Sequence, residues 1–234
     1  MSEALSALSF FDPAHGIHGV WRAGLTLLFE GGASAAVDEG PVVTRTQMGY
    51  RATLAGRLDL EFTPVSEQLP LAGARVALCR VEGSMDGRPV ECLGTTTQVV
   101  SAPAWAEIDV LRTITAVFDE GHAVFAVAHR PRGAQGHGGE FATAAVLAAG
   151  ELRAVEDARV STVYDGAGRQ RTVGLELWLP GEEFPLRASG RATAGTTLEL
   201  EGLSVNAAAF DWRMEGREGA GSYELTVRAE AGLA

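Results

Sequence analysis

Lysine is absent from the sequence, and all 19 basic side chains are arginine. The absence removes Schiff-base chemistry, pyridoxal phosphate attachment and the phosphate-binding lysine of a P-loop, each of which needs a primary amine. Cysteine is nearly absent, with only Cys79 and Cys92, so there is no cluster of thiolates for a metal. No apolar run approaches the roughly 20 residues that cross a bilayer as a helix. The opening Met1-Ser2-Glu3-Ala4-Leu5 lacks a basic region followed by a long apolar one, so no secretory leader is expected and the chain reads as soluble and cytoplasmic. Net charge is −11, which leaves no concentrated cationic surface for a nucleic acid.

Motifs for bound groups are missing too. His122 and His129 stand an odd number of positions apart, as do His15 and His18, so on extended strands each pair points to opposite faces. His137 falls in a glycine-rich run, and no His-Glu-x-x-His occurs; no metal is expected. There is no Gly-x-Ser-x-Gly elbow and no dinucleotide fingerprint after a strand, so no cofactor is expected either. Gly136-His137-Gly138-Gly139 has no helix behind it to make an anion site and reads as loop.

What the chain has is alternation with a period of two, punctuated by an acidic residue and glycine. Glu39-Gly40, Glu82-Gly83, Asp86-Gly87, Glu120-Gly121, Asp165-Gly166, Glu201-Gly202 and Glu215-Gly216 are expected to reverse the chain, because glycine reaches positive φ without steric cost. Arg51 to Thr63 reads as one long strand with Ala52, Leu54, Leu58, Leu60 and Phe62 on its buried face. Val20 to Phe29 reads likewise, placing Trp21 with Leu25, Leu27 and Phe29 in the core. Ile108 to Phe118 and His122 to His129 form a hairpin about Asp119-Glu120-Gly121, and strands continue through Phe141–Leu147, Leu152–Val155, Arg159–Tyr164, Thr172–Leu179, Phe184–Ser189 and Leu198–Leu203. Trp212 to Val227 is a terminal hairpin. Ser2 to Phe10 has the composition of a short helix; Pro64–Pro70 is a linker and His129–Glu140 a flexible loop. So many strands in an open sheet would expose unpaired edges, and closure into a barrel or two packed sheets solves this. Cys79 and Cys92 flank Met85-Asp86-Gly87 nearly evenly and could face each other in a hairpin, yet reduced thiols are expected in a reducing compartment.

Several segments resemble a known family. Trp212-Arg213-Met214-Glu215-Gly216 leading to Gly221-Ser222-Tyr223-Glu224-Leu225 is similar to the closing segment of carotenoid 1,2-hydratases and AttH-like proteins. Gly19-Val20-Trp21 resembles the Gly-x-Trp opening of lipocalins, and Leu147 to Leu152, Asp165-Gly166 and Glu183-Phe184-Pro185-Leu186 are similar in order to that family's second half. The resemblance implies an all-β fold with very little helix: an antiparallel lipocalin-like barrel, or two packed barrel or sandwich domains. In the two-domain form they would span residues 1–101 and 102–234. It also implies a hydrophobic ligand, isoprenoid- or polyketide-like, held in a β-barrel cavity, with cofactor-free hydration, cyclisation or isomerisation as the chemistry. Where the family carries an Asp-His pair, this chain reads Gly94-Thr95-Thr96-Thr97-Gln98, with only Trp105 downstream. A carrier or accessory protein without chemistry therefore stands beside the enzyme, as does a partner protein whose β surface meets another chain, a second copy included.

Such chemistry needs a proton donor in an apolar site and aromatic faces to stabilise positive charge. Asp109 and His129 lie in strongly apolar strands and are the candidate acids, because burial would raise the carboxyl and keep the imidazole neutral. Trp21, Trp105, Phe125, Trp178, Trp212 and Tyr223 are the candidate ligand-binding aromatics, each with ordinary core packing as its other explanation.

Overall fold

A computed structural model of the protein describes residues 5–22, 25–37, 39–134, 139–200 and 202–228. The strands of the first half are β1 (Ala7–Asp12), β2 (Ile17–Arg22), β3 (Leu25–Glu30), β4 (Ala33–Val37), β5 (Val42–Arg45), β6 (Tyr50–Leu54), β7 (Leu58–Pro64), β8 (Leu69–Leu71), β9 (Ala74–Met85) and β10 (Arg88–Val99). Those of the second are β11 (Ile108–Asp119), β12 (His122–Pro131), β13 (Phe141–Ala148), β14 (Glu151–Arg153), β15 (Asp157–Tyr164), β16 (Gln170–Trp178), β17 (Leu186–Leu200), β18 (Leu203–Met214) and β19 (Arg217–Arg228). Among the described residues the one helical element described in full is a 3-10 turn, Trp105–Glu107. The fold is all-β, as expected.

The strands make two curled antiparallel sheets with the same wiring. The first runs β4-β3-β2-β1-β10-β9-β7-β6-β5 and the second β14-β13-β12-β11-β19-β18-β17-β16-β15, so in each the opening strand pairs with the closing one. Among the described strands only β8, which pairs with β9, has no counterpart. Curling brings the arms of each sheet over its own centre. Leu8, Phe10, Leu60, Phe62 and Val81 fill the first half-barrel, and Ile114, Leu175, Phe210, Trp212 and Tyr223 the second. The opposite faces of the central strands meet each other, burying Phe11, Leu78, Val117, Ala123 and Phe125 between the sheets.

Two-residue reversals hold the hairpins. Asp86-Gly87 and Glu215-Gly216 both have positive φ at both positions, the geometry whose twist matches that of paired strands. Glu82-Gly83, however, lies inside β9 and does not turn the chain. Gly83 instead lets β7 approach, since a Cβ there would collide with the carbonyl oxygen of Asp59.

Several sequence expectations are corrected. Ala7–Phe10 of the expected helix belongs to β1, at the centre of its sheet, because Leu8 and Phe10 fill one interior while Ser9 and Phe11 face the other sheet; residues 1–4 lie outside the described residues. Arg51–Thr63 is a hairpin, β6 and β7, turning at Ala55-Gly56-Arg57. Val20–Phe29 is also a hairpin, so Trp21 pairs with Thr26 and packs half-buried with Leu8 and Phe10, opposite in face to Leu27 and Phe29. Leu198–Leu203 is the end of β17, a reversal and the start of β18. Cys79 sits opposite Gly94 and Cys92 opposite Val81, one diagonal step apart, and both thiols are free. Of the expected loop His129–Glu140, the first residues extend β12 to Pro131, and 135–138 lie outside the described residues, as does most of Gly136–Gly139.

Candidate functional site

A small cavity of about 30 Å³ lies in the interior of the first half-barrel, beside Trp21. The large cavity, about 750 Å³, lies between the two sheets. Its walls come from β1, β2, β8, β9 and β10 on one side and from β11, β12, β13, β18 and β19 on the other. Register sorts the lining into successive cross-strand rows.

The floor row is apolar. Val117 sits between Ala123 and Ala220 and packs against Phe11 of the first sheet. Above it Thr115 lies between Phe125 and Ser222, and Ser9 lies beside Thr95, with 2.6 Å between those two hydroxyl oxygens. In the next row Thr113 lies between Val127 and Glu224, while Ala7 lies between Thr97 and Arg22. Arg22 and Glu224 form an ion pair across the two sheets. The outermost row carries Leu111 beside His129, whose ring stacks on Phe141 with centroids 5.6 Å apart. Phe141 is 61% exposed and Val99 44%, which marks the open end.

Of the eight candidates, the structure brings Trp105, Phe125, His129 and Tyr223 to this cavity. Tyr223 alternates with Ser222 and Glu224 and turns its ring into the second half-barrel, where its hydroxyl meets Thr162 at 2.9 Å and burial raises its pKa. Trp212 is buried in that same interior, 5.8 Å from Phe210. Trp178 lies on β16 under the guanidinium of Arg159, 4.6 Å from its centroid. Trp21 lines the small cavity of the first half-barrel.

Asp109 stands where the pairing of β11 and β12 is irregular. Its carboxylate accepts from the Gly133 N–H at 2.9 Å and lies 3.9 Å from Arg228 Nε. Arg228 in turn donates to the carbonyl oxygens of Trp105 and Ile108. Asp109 thus braces the segment that carries Trp105 to the cavity rim. No group of three or more His, Cys, Asp or Glu among the described residues is arranged to hold a metal.

The polar row is not evident from the sequence. Thr95, Thr97, Thr113, Thr115, Ser222, Arg22 and Glu224 look like the solvent side of half-buried strands, and only the second sheet turns that side inward. A buried pair is no more evident: Arg112 Nε lies 2.8 Å from Glu140 Oε1 inside the second half-barrel.

The architecture defines a class: two curled, lipocalin-like antiparallel sheets with a cavity between them. A crystal structure of a candidate AttH protein from Nitrosomonas europaea has this fold, with a TM-score of 0.57 over 96% of this chain and 92% of that one at 16% identity. The likeness is one of fold. No protein-family model matches the chain, and no curated protein matches it.

Proposed function

We propose that the protein binds a hydrophobic small molecule, isoprenoid- or polyketide-like, between its two sheets, with residues 1–101 and 102–234 acting as two lipocalin-like domains. The observation that carries this reading is the cavity of about 750 Å³, within the roughly 300–1,000 Å³ of small-molecule sites and lined mainly by apolar side chains with a few polar ones. Titration with the fluorescent apolar probe 1-aminoanthracene tests it. One-site binding is expected, lost when Val127→Trp fills the cavity while thermal stability is kept; binding indifferent to that substitution would place the probe elsewhere.

A catalytic reading is favoured by His129, a titratable ring on an aromatic face at the cavity rim. Here His129 is the acid for a cofactor-free hydration, cyclisation or isomerisation, Trp105 and Phe125 shape the substrate, and Asp109 acts through Arg228 on Trp105. Conversion of an alkene-bearing ligand by the native protein, unchanged in His129→Gln, would remove His129 from that role. Binding without conversion leaves a carrier.

A further inference from the structure

We propose that the cavity selects uncharged, oxygen-bearing apolar molecules, alcohols or carbonyl compounds, taken up oxygen-first, and discriminates against carboxylates of the same skeleton. The inference rests on the ligand-binding reading and adds the chemical class.

Two features of the wall carry it. The first is the placement of hydroxyls. Thr115 and Ser222 sit one row above the apolar floor, with Thr113 and Thr97 in the row above them. None of these four side chains has a hydrogen-bond partner among the described residues, and all four line the cavity. An apolar tail laid over them would strip their water and return nothing, which is costly for each hydroxyl. A ligand oxygen placed there satisfies them instead. The outer row, with Trp105, Leu111 and Phe141, then accommodates the apolar remainder. The unpartnered hydroxyls thus lie in the inner rows, and Trp105, Leu111 and Phe141 nearer the rim.

The second feature is charge. Among the described residues the cavity wall carries one arginine and one carboxylate, Arg22 and Glu224, and they neutralise each other across the sheets. Thr226 Oγ1 also approaches Glu224 Oε1, at 3.4 Å. An incoming carboxylate would have to displace Glu224 from Arg22, leaving a second anion in the same row without a partner. An alcohol or ketone makes no such demand.

The test compares geranylgeraniol, geranylgeranoic acid and the hydrocarbon phytane at pH 8, each displacing 1-aminoanthracene from the full chain. In the native protein the alcohol should bind about tenfold or more tightly than the ionised acid, since an unpartnered buried charge costs more than one hydrogen bond. Thr115→Val with Ser222→Ala should weaken the alcohol by about 3- to 30-fold and leave phytane unchanged or tighter, the loss expected for one or two neutral hydrogen bonds. Glu224→Gln frees Arg22 and should strengthen the acid about tenfold; if that variant does not fold, Arg22→Met, which leaves Glu224 alone in the wall, should weaken the acid further. Equal affinities for alcohol and acid in the native protein, or acid binding indifferent to the change at the ion pair, would overturn the selectivity while leaving binding intact. Failure of all three compounds and of the probe to bind would overturn the ligand-binding reading, and this inference with it.

Discussion

Gly94 and Gly221 lie on equivalent strands of the two sheets: Gly94 on β10 stands opposite Phe10 of β1, and Gly221 on β19 opposite Ala116 of β11. At each, a Cβ would collide with a carbonyl oxygen of the neighbouring strand, that of Ser9 in one case and Thr115 in the other. Glycine at each position lets the opening and closing strands of its sheet approach closely along their seam.

Alanine at either glycine should therefore force the seam apart. We expect Gly221→Ala and Gly94→Ala each to destabilise the fold by about 1–3 kcal/mol, the usual cost of overpacking. Gly216→Ala should cost about 1 kcal/mol from the left-handed turn alone. Urea unfolding checks this, and a seam variant as stable as the native protein would contradict it.

Removal of one partner of the Arg112 and Glu140 pair should be severe. Both side chains are nearly buried, 5% and 10% exposed. Glu140→Gln strands the guanidinium and should cost about 3–5 kcal/mol, whereas replacing both partners with apolar residues of similar volume should recover most of the loss. Thermal unfolding of the single and double variants distinguishes this from an additive effect.

Acidification should loosen the junction of the sheets at His18. Burial lowers the pKa of this imidazole below its ordinary 6.5, opposed by the nearby Asp211 of β18 and by Asp12. The unfolded chain then binds the proton more readily, so stability is complete above about 6.5 and falls as pH drops toward the folded value, by at most about 1.4 kcal/mol per pH unit from this group. Urea midpoints at pH 7.5, 6.5 and 5.5 should fall in that order, and His18→Phe should flatten the trend.

Both thiols should be inert in the folded state. Burial pushes Cys79 up to about 11 and Cys92 up to about 12, so almost no thiolate exists at pH 8. Ellman's reagent should react slowly with the native protein and count two thiols after unfolding without reductant. A count below two would instead show a disulfide.

The hairpin from Ile108 to His129 was legible because Glu120-Gly121 interrupts two alternating strands. The hairpin within Arg51–Thr63 was not, for a reason of parity. Its reversal contains three residues, so Ala52 and Leu60 both fall on even positions and the alternation runs through the turn undisturbed. Between β2 and β3, Trp21 pairs with Thr26, so the phase flips and a continuous reading puts Trp21 on the wrong face. The cavity was less legible still. Thr95 and Ser222 are more than a hundred positions apart, and alternation states only that each is opposite in face to its neighbours. The second sheet, supplied by the other half of the chain, decides that these hydroxyls face inward.

The matched wiring of the two sheets has a consequence for how the molecule could be taken apart. The chain passes from one sheet to the other once, between Val99 and Ile108, and every strand pair of either sheet lies on one side of that passage. Two fragments severed there would each retain a complete set of pairings, while the cavity would exist only in their reunion. A molecule bound in it would act as a molecular glue, and split halves that reassemble on adding one compound and not another would report the ligand directly.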